Sequence, residues 1–262
     1  MPPLIGSGDP APFEVFNAGG KTPLLLLCDH ASNAVPQTLR GLGLGPSVRE
    51  QHIAVDIGAA DVCRHMAKRL DCPAVLCGYS RLIIDCNRQP GDPTAIPPVS
   101  DGVPIPGNQN LTEAQATQRV DEIFWPYHRA IGDTLAHLWR QNPEMPPMVI
   151  AMHSFTPCLQ DGAVRPWHVG LLWNRDNRMM VPMMASLRNQ GWTVGDNEPY
   201  SGREIAYTLD SHATAAGLPH VAVEIRQDLI GEPSGVAAWA AHMARSLDGI
   251  LGQAALHRVE HF

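Results

Sequence analysis

The sequence predicts an α/β protein built on a mixed, mostly parallel sheet flanked by helices. Three observations predict it. Short unbroken apolar runs recur along the chain, as in strands buried on both faces. Segments of helical periodicity lie between them. Several runs stop at ionisable residues, which is where open α/β sheets collect their ligands. The 262 residues are 44% hydrophobic and 17% charged, a globular composition. No Gly-, Ser- or charge-rich linker divides them, so a single domain over residues 1–262 is expected.

Residues 23–28 read as a buried strand that ends at Asp29 and His30. A helix over 54–70 and a second strand at 74–77 follow. A third strand, 82–84, leads into Asp85, Cys86, Asn87 and Arg88. Residues 89–110 contain six prolines and read as a long ordered loop, of the kind that serves as a lid or binding loop. Thr112 opens a helix that runs to Arg140: Gln115 completes a capping box, and apolar residues from Val120 to Leu138 keep helical spacing. Pro126 should kink or divide it. Residues 148–152 form a fourth strand ending at His153 and Ser154, and 168–173 a fifth ending at Asn174 and Arg175. The sixth, 220–225, carries Glu224 among apolar neighbours. Further helices are expected over 178–190, 201–216 and 234–251.

Composition excludes some functions. With 19 Lys and Arg against 26 Asp and Glu, the chain lacks the basic balance of a polyanion binder, so nucleic acid is not an expected partner. The apolar run 24–28 is far too short to span a bilayer. Residues 1–20 contain no basic stretch followed by an apolar core, and the six cysteines follow no CxxC spacing. A cytoplasmic protein with reduced thiols is expected. There is no Gly-x-Gly-x-x-Gly, P-loop or Gly-x-Ser-x-Gly motif, which disfavours dinucleotide, nucleotide and serine-hydrolase chemistry.

Twelve histidines are the compositional oddity. His30 and His153 stand at the ends of two strands, where neutral imidazoles can converge on a metal. A catalytic zinc takes about three protein ligands from separate segments. Candidates for the third are Asp56 at a helix start, whose bland reading is helix-dipole stabilisation, and His128, whose bland reading is packing against Trp125 and Tyr127. Arg81 and Arg88 bracket an apolar run. Asp85 can fix one guanidinium while the other grips a carboxylate, the alternative being a purely structural ion network. Burial of Glu224 would raise its pKa into the range of a general base, unless it pairs with Arg226 on the same strand face.

Several stretches, in this order, resemble the N-formylglutamate amidohydrolase family. They are Asp29-His30-Ala31-Ser32-Asn33-Ala34-Val35-Pro36, residues 52–56, residues 79–88, Trp125-Pro126-Tyr127-His128, Met152-His153-Ser154-Phe155-Thr156, Asn197-Glu198-Pro199-Tyr200 and residues 224–229. The resemblance implies a phosphorylase/hydrolase-like fold similar to zinc carboxypeptidases and aspartoacylases. It also implies hydrolysis of an N-formyl or other small N-acyl amino acid, above all N-formyl-L-glutamate to formate and L-glutamate. On that pattern His30 and His153 are zinc ligands, Asn87 and Arg88 hold the substrate carboxylate, Arg81 polarises the carbonyl and Glu224 is the base. Arg226 is a candidate for a second carboxylate. Where those relatives carry His-x-x-Glu, the position three after His30 is Asn33. Either Asp56 supplies the missing carboxylate or the metal is held less tightly. The rival readings are a metal-dependent deacylase or peptidase acting on another N-acyl amino acid, and a non-catalytic carboxylate-binding protein. The expected partner is a small molecule, with neither nucleic acid nor membrane involved.

Overall fold

Phe13–Phe16 (β1) and Leu24–Cys28 (β2) begin the sheet in a computed structural model that describes residues 2–159, 162 and 164–262. The chain continues through Pro46–Arg49 (α1), Ala59–Leu70 (α2) and Ala74–Cys77 (β3) to a hairpin of Val99–Ser100 (β4) and Val103–Pro104 (β5). Glu113–Arg119 (α3), Trp125–Gln141 (α4), Met148–Phe155 (β6), Val169–Leu172 (β7), Met180–Asn189 (α5) and Val194–Asp196 (β8) come next. Tyr207–Leu209 (α6), His220–Arg226 (β9) and Pro233–Leu247 (α7) complete the order.

The main sheet runs β1-β3-β2-β6-β9-β7-β8. Its centre, β3 to β9, is parallel. β1 joins β3 antiparallel, and β7 joins β9 antiparallel and β8 parallel. Alternation along the buried strands explains the unbroken apolar runs. Leu24, Leu26 and Cys28 pack on one side with α2, α5 and α7 residues such as Val62, Met183 and Met243. Leu25 and Leu27 pack on the other with Tyr127, Ile131 and Leu135 of α4. Successive strand side chains point to opposite faces, so a sheet covered on both sides needs apolar residues at every position. All six cysteines are free thiols, and every one except Cys158 is buried.

Four differences from the sequence-based expectations bear on the site. Residues 82–84 are not a strand. The Ile83 N–H donates to the Ser80 carbonyl (3.0 Å) and the Leu82 N–H to the Ser80 hydroxyl (3.2 Å), so local turns bury these apolar side chains without any sheet pairing. The helix expected from residue 54 starts at Ala59. Gly58 before it has φ 76°, and a Cβ there would meet the Ile230 carbonyl oxygen at 2.1 Å, so only glycine fits this turn and Asp56 lies ahead of the helix. Thr112 and Gln115 form the expected capping box, but Pro126 does not break the helical path. A π-helical segment, Val120–Phe124, precedes α4, and Pro126 sits in the first turn of α4, where its missing N–H costs little. The stretch 201–216 holds only α6 and a π-helical Asp210–Thr214.

The proline-rich stretch contains the β4–β5 hairpin, and its base is anchored from beneath. The Arg119 guanidinium, 2% exposed, donates to the carbonyls of Ile83 (2.8 Å) and Gly107 (2.9 Å) and to Asn108 Oδ1 (2.7 Å). Asn108 Nδ2 donates to the carbonyls of Leu82 and Pro97, both at 2.8 Å. The Asp85 N–H donates to the Ala95 carbonyl at 2.7 Å.

Candidate metal centre

Three adjacent parallel strands deliver the central groups. His30 follows β2, His153 lies near the end of β6, and Glu224 on β9 stands in register with His153. The turn ahead of α2 supplies Asp56, whose N–H donates to the His30 carbonyl at 3.1 Å.

Asp56 Oδ2 lies 3.1 Å from His30 Nδ1 and 2.9 Å from His153 Nδ1. All three residues are 3% exposed, and their donor atoms fall within 4.8 Å of one another. Each ring also has its other nitrogen at a carboxylate. His30 Nε2 is 2.7 Å from Asp85 Oδ1, and His153 Nε2 is 3.3 Å from Asp29 Oδ2, an ion-pair distance without hydrogen-bond geometry. Metal-binding histidines are held this way, with a carboxylate fixing the ring nitrogen that faces away from the ion.

Electrostatics also fit a cation. Burial works against ionising Asp56 and Asp85, yet His30, His153 and Arg81 hold the Asp56 carboxyl, and Arg81 and His30 the Asp85 carboxyl, below the usual range. Asp29 is lowered too, against burial, by His153 and His30. For His30, burial and Arg81 oppose the charge, but Asp85 and Asp56 prevail and lift it to about 9. His153 rises as well, burial being outweighed by Asp29 and Asp56. Three buried aspartates thus face one guanidinium, Arg81, leaving two positive charges to be supplied. Two imidazoliums supply them here, and one divalent cation on neutral imidazoles would meet the same demand. Two nitrogens and one carboxylate oxygen, with room for a further ligand, form a donor set that suits zinc.

The other candidates for third ligand lie elsewhere. His128 Nε2 donates to the Cys86 carbonyl (2.9 Å), which leaves its Nδ1 to accept from His212 Nε2 (2.9 Å). Asn33 is exposed on the surface.

A cavity of about 250 Å³ is lined by the His30, Asp56 and His153 cluster, Glu224, Arg81, Asp85, Asn87 and Arg88, with Phe155, Tyr200 and Ile205 also on its wall. Burial pushes the Glu224 carboxyl up to about 7, Asp56 adding to the rise and His153 opposing it. Its Oε2 is buried with no hydrogen-bond partner among the described residues. Arg81 spans Asp56 Oδ1 (3.3 Å) and Asp85 Oδ2 (2.7 Å). Arg88 is half-buried and makes no ion pair or side-chain hydrogen bond among the described residues.

The structure does not bring Arg226 to this cavity. Glu224 points into the cavity, whereas the Arg226 guanidinium pairs with Asp228 at 2.8 Å and donates to the carbonyls of Arg165 and Trp167.

Sequence reasoning missed three supporting residues. Asp29 adjoins His30 in the chain but serves His153, because neighbouring residues leaving a strand point opposite ways. Asp29 Oδ1 accepts from the hydroxyls of Tyr127 (2.9 Å) and Thr208 (2.8 Å). The Thr208 N–H also donates to Asn87 Oδ1 at 3.1 Å. Asp29 and Tyr127 lie in stretches that carry the family resemblance, but nothing in the sequence tied either to His153; Thr208 lies on a distant helical segment and gave no signal.

A family model described as N-formylglutamate amidohydrolase matches residues 22–231. No curated protein matches the chain. Among solved structures, gene product Atu2144 from Agrobacterium tumefaciens superposes with a TM-score of 0.88 at 34% identity, over 96% of this chain and 98% of that one. N-formylglutamate amidohydrolase from Ralstonia eutropha JMP134 superposes with a TM-score of 0.59 at 18% identity, over 92% and 97%, a likeness of fold.

Proposed function

The chain belongs to the N-formylglutamate amidohydrolase family, and we propose that it is a zinc-dependent hydrolase of N-formyl or other small N-acyl amino acids. The observation that carries this reading is the unpartnered Glu224 Oε2 in the cavity that also holds the His30, Asp56 and His153 donors. A divalent ion on those donors would polarise an amide carbonyl and acidify a water molecule.

The chain's own residues do the rest. Arg88 and Asn87 hold the α-carboxylate, Arg88 being the guanidinium with charge to spare. Thr208 bonds the Asn87 carbonyl oxygen, which leaves its amide N–H groups to donate to the substrate. Arg81, fixed by two aspartates, presents a positive edge where the carbonyl oxygen gains negative charge. Glu224 removes the proton from the attacking water and returns it to the departing amine. The water oxygen becomes part of the carboxylate product and the amide C–N bond breaks, so N-formyl-L-glutamate would give formate and L-glutamate.

The test is release of the acyl acid by zinc-loaded protein from a panel of N-formyl and N-acetyl amino acids that includes N-formyl-L-glutamate. Release that a chelator abolishes and zinc restores is expected. No release from any member overturns the reading.

A further inference from the structure

A second cavity, of about 320 Å³, adjoins the first and shares His52, Arg81, Asp85 and Arg88 with it. Beyond those residues its wall carries Ile53, Leu82, Pro97, Val99 and Leu159 beside Thr94, Ser100 and Asp101. Val99 and Leu159 are 52% and 37% exposed, so two large apolar side chains face water on one cavity that is continuous with the site of chemistry. Exposed apolar surface concentrated at a cleft marks a place where a ligand is covered.

Charge on this cavity is unsuited to a second carboxylate. Asp101 lies on its wall, its Oδ2 3.1 Å from His52 Nε2, and Asp85 lies on the shared wall. Of the two guanidiniums, Arg81 is committed to Asp56 and Asp85, and Arg88 alone is uncommitted among the described residues. One carboxylate can be matched, and Arg226 lines neither cavity and is paired with Asp228.

We infer that this cavity takes the side chain of the N-acyl amino acid, and that the side chain is a neutral apolar one, as in leucine, methionine or phenylalanine. The inference rests on the hydrolase reading. With the α-carboxylate on Arg88 at the junction of the two cavities, the acyl group lies toward Glu224 and the side chain toward Val99 and Leu159. A side-chain carboxylate there would lose its water, meet Asp101 and find no free cation.

The experiment compares kcat/KM for formate release by zinc-loaded protein from the N-formyl derivatives of L-leucine, L-methionine, L-phenylalanine and L-glutamate. The best neutral substrate is expected to exceed N-formyl-L-glutamate at least tenfold. A smaller ratio, or a preference for glutamate, overturns the inference and leaves the hydrolase reading intact. Release from none of them overturns the inference, and the hydrolase reading falls with it when the N-acetyl amino acids are also left uncleaved. Val99→Asp places a charge on the exposed rim, where folding is little affected. It is expected to lower kcat/KM for N-formyl-L-leucine at least tenfold more than for N-formylglycine, which has no side chain to place. An equal loss on both overturns the assignment of the cavity.

Discussion

His30 Nε2 lies 2.7 Å from Asp85 Oδ1, so the ring nitrogen turned away from Asp56 is already fixed by a carboxylate. Asp85 also accepts from Arg81 and from the Asn87 N–H, which ties the donor cluster to the turn that carries Asn87 and Arg88. Asp85→Asn should weaken zinc binding about 10- to 100-fold, the usual cost of removing such a carboxylate. Competition with a chelating dye measures this, and zinc should raise the thermal midpoint of the parent more than that of the variant. Unchanged zinc affinity would show that Asp85 serves Arg81 alone.

Glu224→Gln keeps the shape of the side chain and removes its basicity. Turnover should fall at least about 100-fold, the lower end of what a general base contributes. Zinc content by elemental analysis should match the parent. Loss of zinc from this variant would instead place Glu224 among the ligands.

Thr208 is fully buried, and its hydroxyl donates to Asp29 Oδ1 at 2.8 Å. Thr208→Val keeps the volume and leaves that oxygen with Tyr127 as its one hydroxyl donor. The expected cost is about 1–3 kcal/mol, that of a buried acceptor losing a partner. Urea denaturation reads the loss, and Thr208→Ser should recover most of it. Equal loss in both variants would assign the effect to the methyl group.

His128 and His212 stack at 5.1 Å and share one hydrogen bond. Burial, helped by the neighbouring His128, pushes His212 down to about 4 from 6.5. Burial lowers His128 too. Each is therefore neutral in the folded protein while the unfolded chain takes up a proton near pH 6.5. The stability they confer is complete above that pH and is lost as pH falls toward 4. Between pH 7 and 5 the parent should lose up to about 2 kcal/mol more than His212→Leu, by urea denaturation at the two pH values. A matching loss in the variant would rule the pair out as its source.

Much of the sheet was legible because a strand covered on both faces must be apolar throughout, and Leu24–Cys28 and Met148–Phe155 show this directly. The segment 82–84 has the same composition and is a turn. Burial alone selects its leucine and isoleucines, and what keeps it from pairing is the pair of local bonds to Ser80. β1 and β8 are sheet edges of four and three residues; Glu14 interrupts the first, and Gly195 and Asp196 leave the second with one apolar side chain. Within the site, His30, His153 and Glu224 were legible as ionisable groups interrupting or ending apolar strands. Thr208 was not, because its bonds reach Asp29, Cys86 and Asn87 across long sequence separations that leave no periodic trace.

The Arg119 anchor makes the hairpin above it modular. Both feet of the loop are tied by main-chain carbonyls and by Asn108 rather than by the residues at its tip. The tip, carrying Val99, Ser100 and Asp101, can therefore be exchanged or lengthened without moving the turn that bears Arg81 and Asp85. In the proposed function, substrate choice and metal chemistry would thus rest on separately supported parts of the chain, and one could diversify while the other stays fixed.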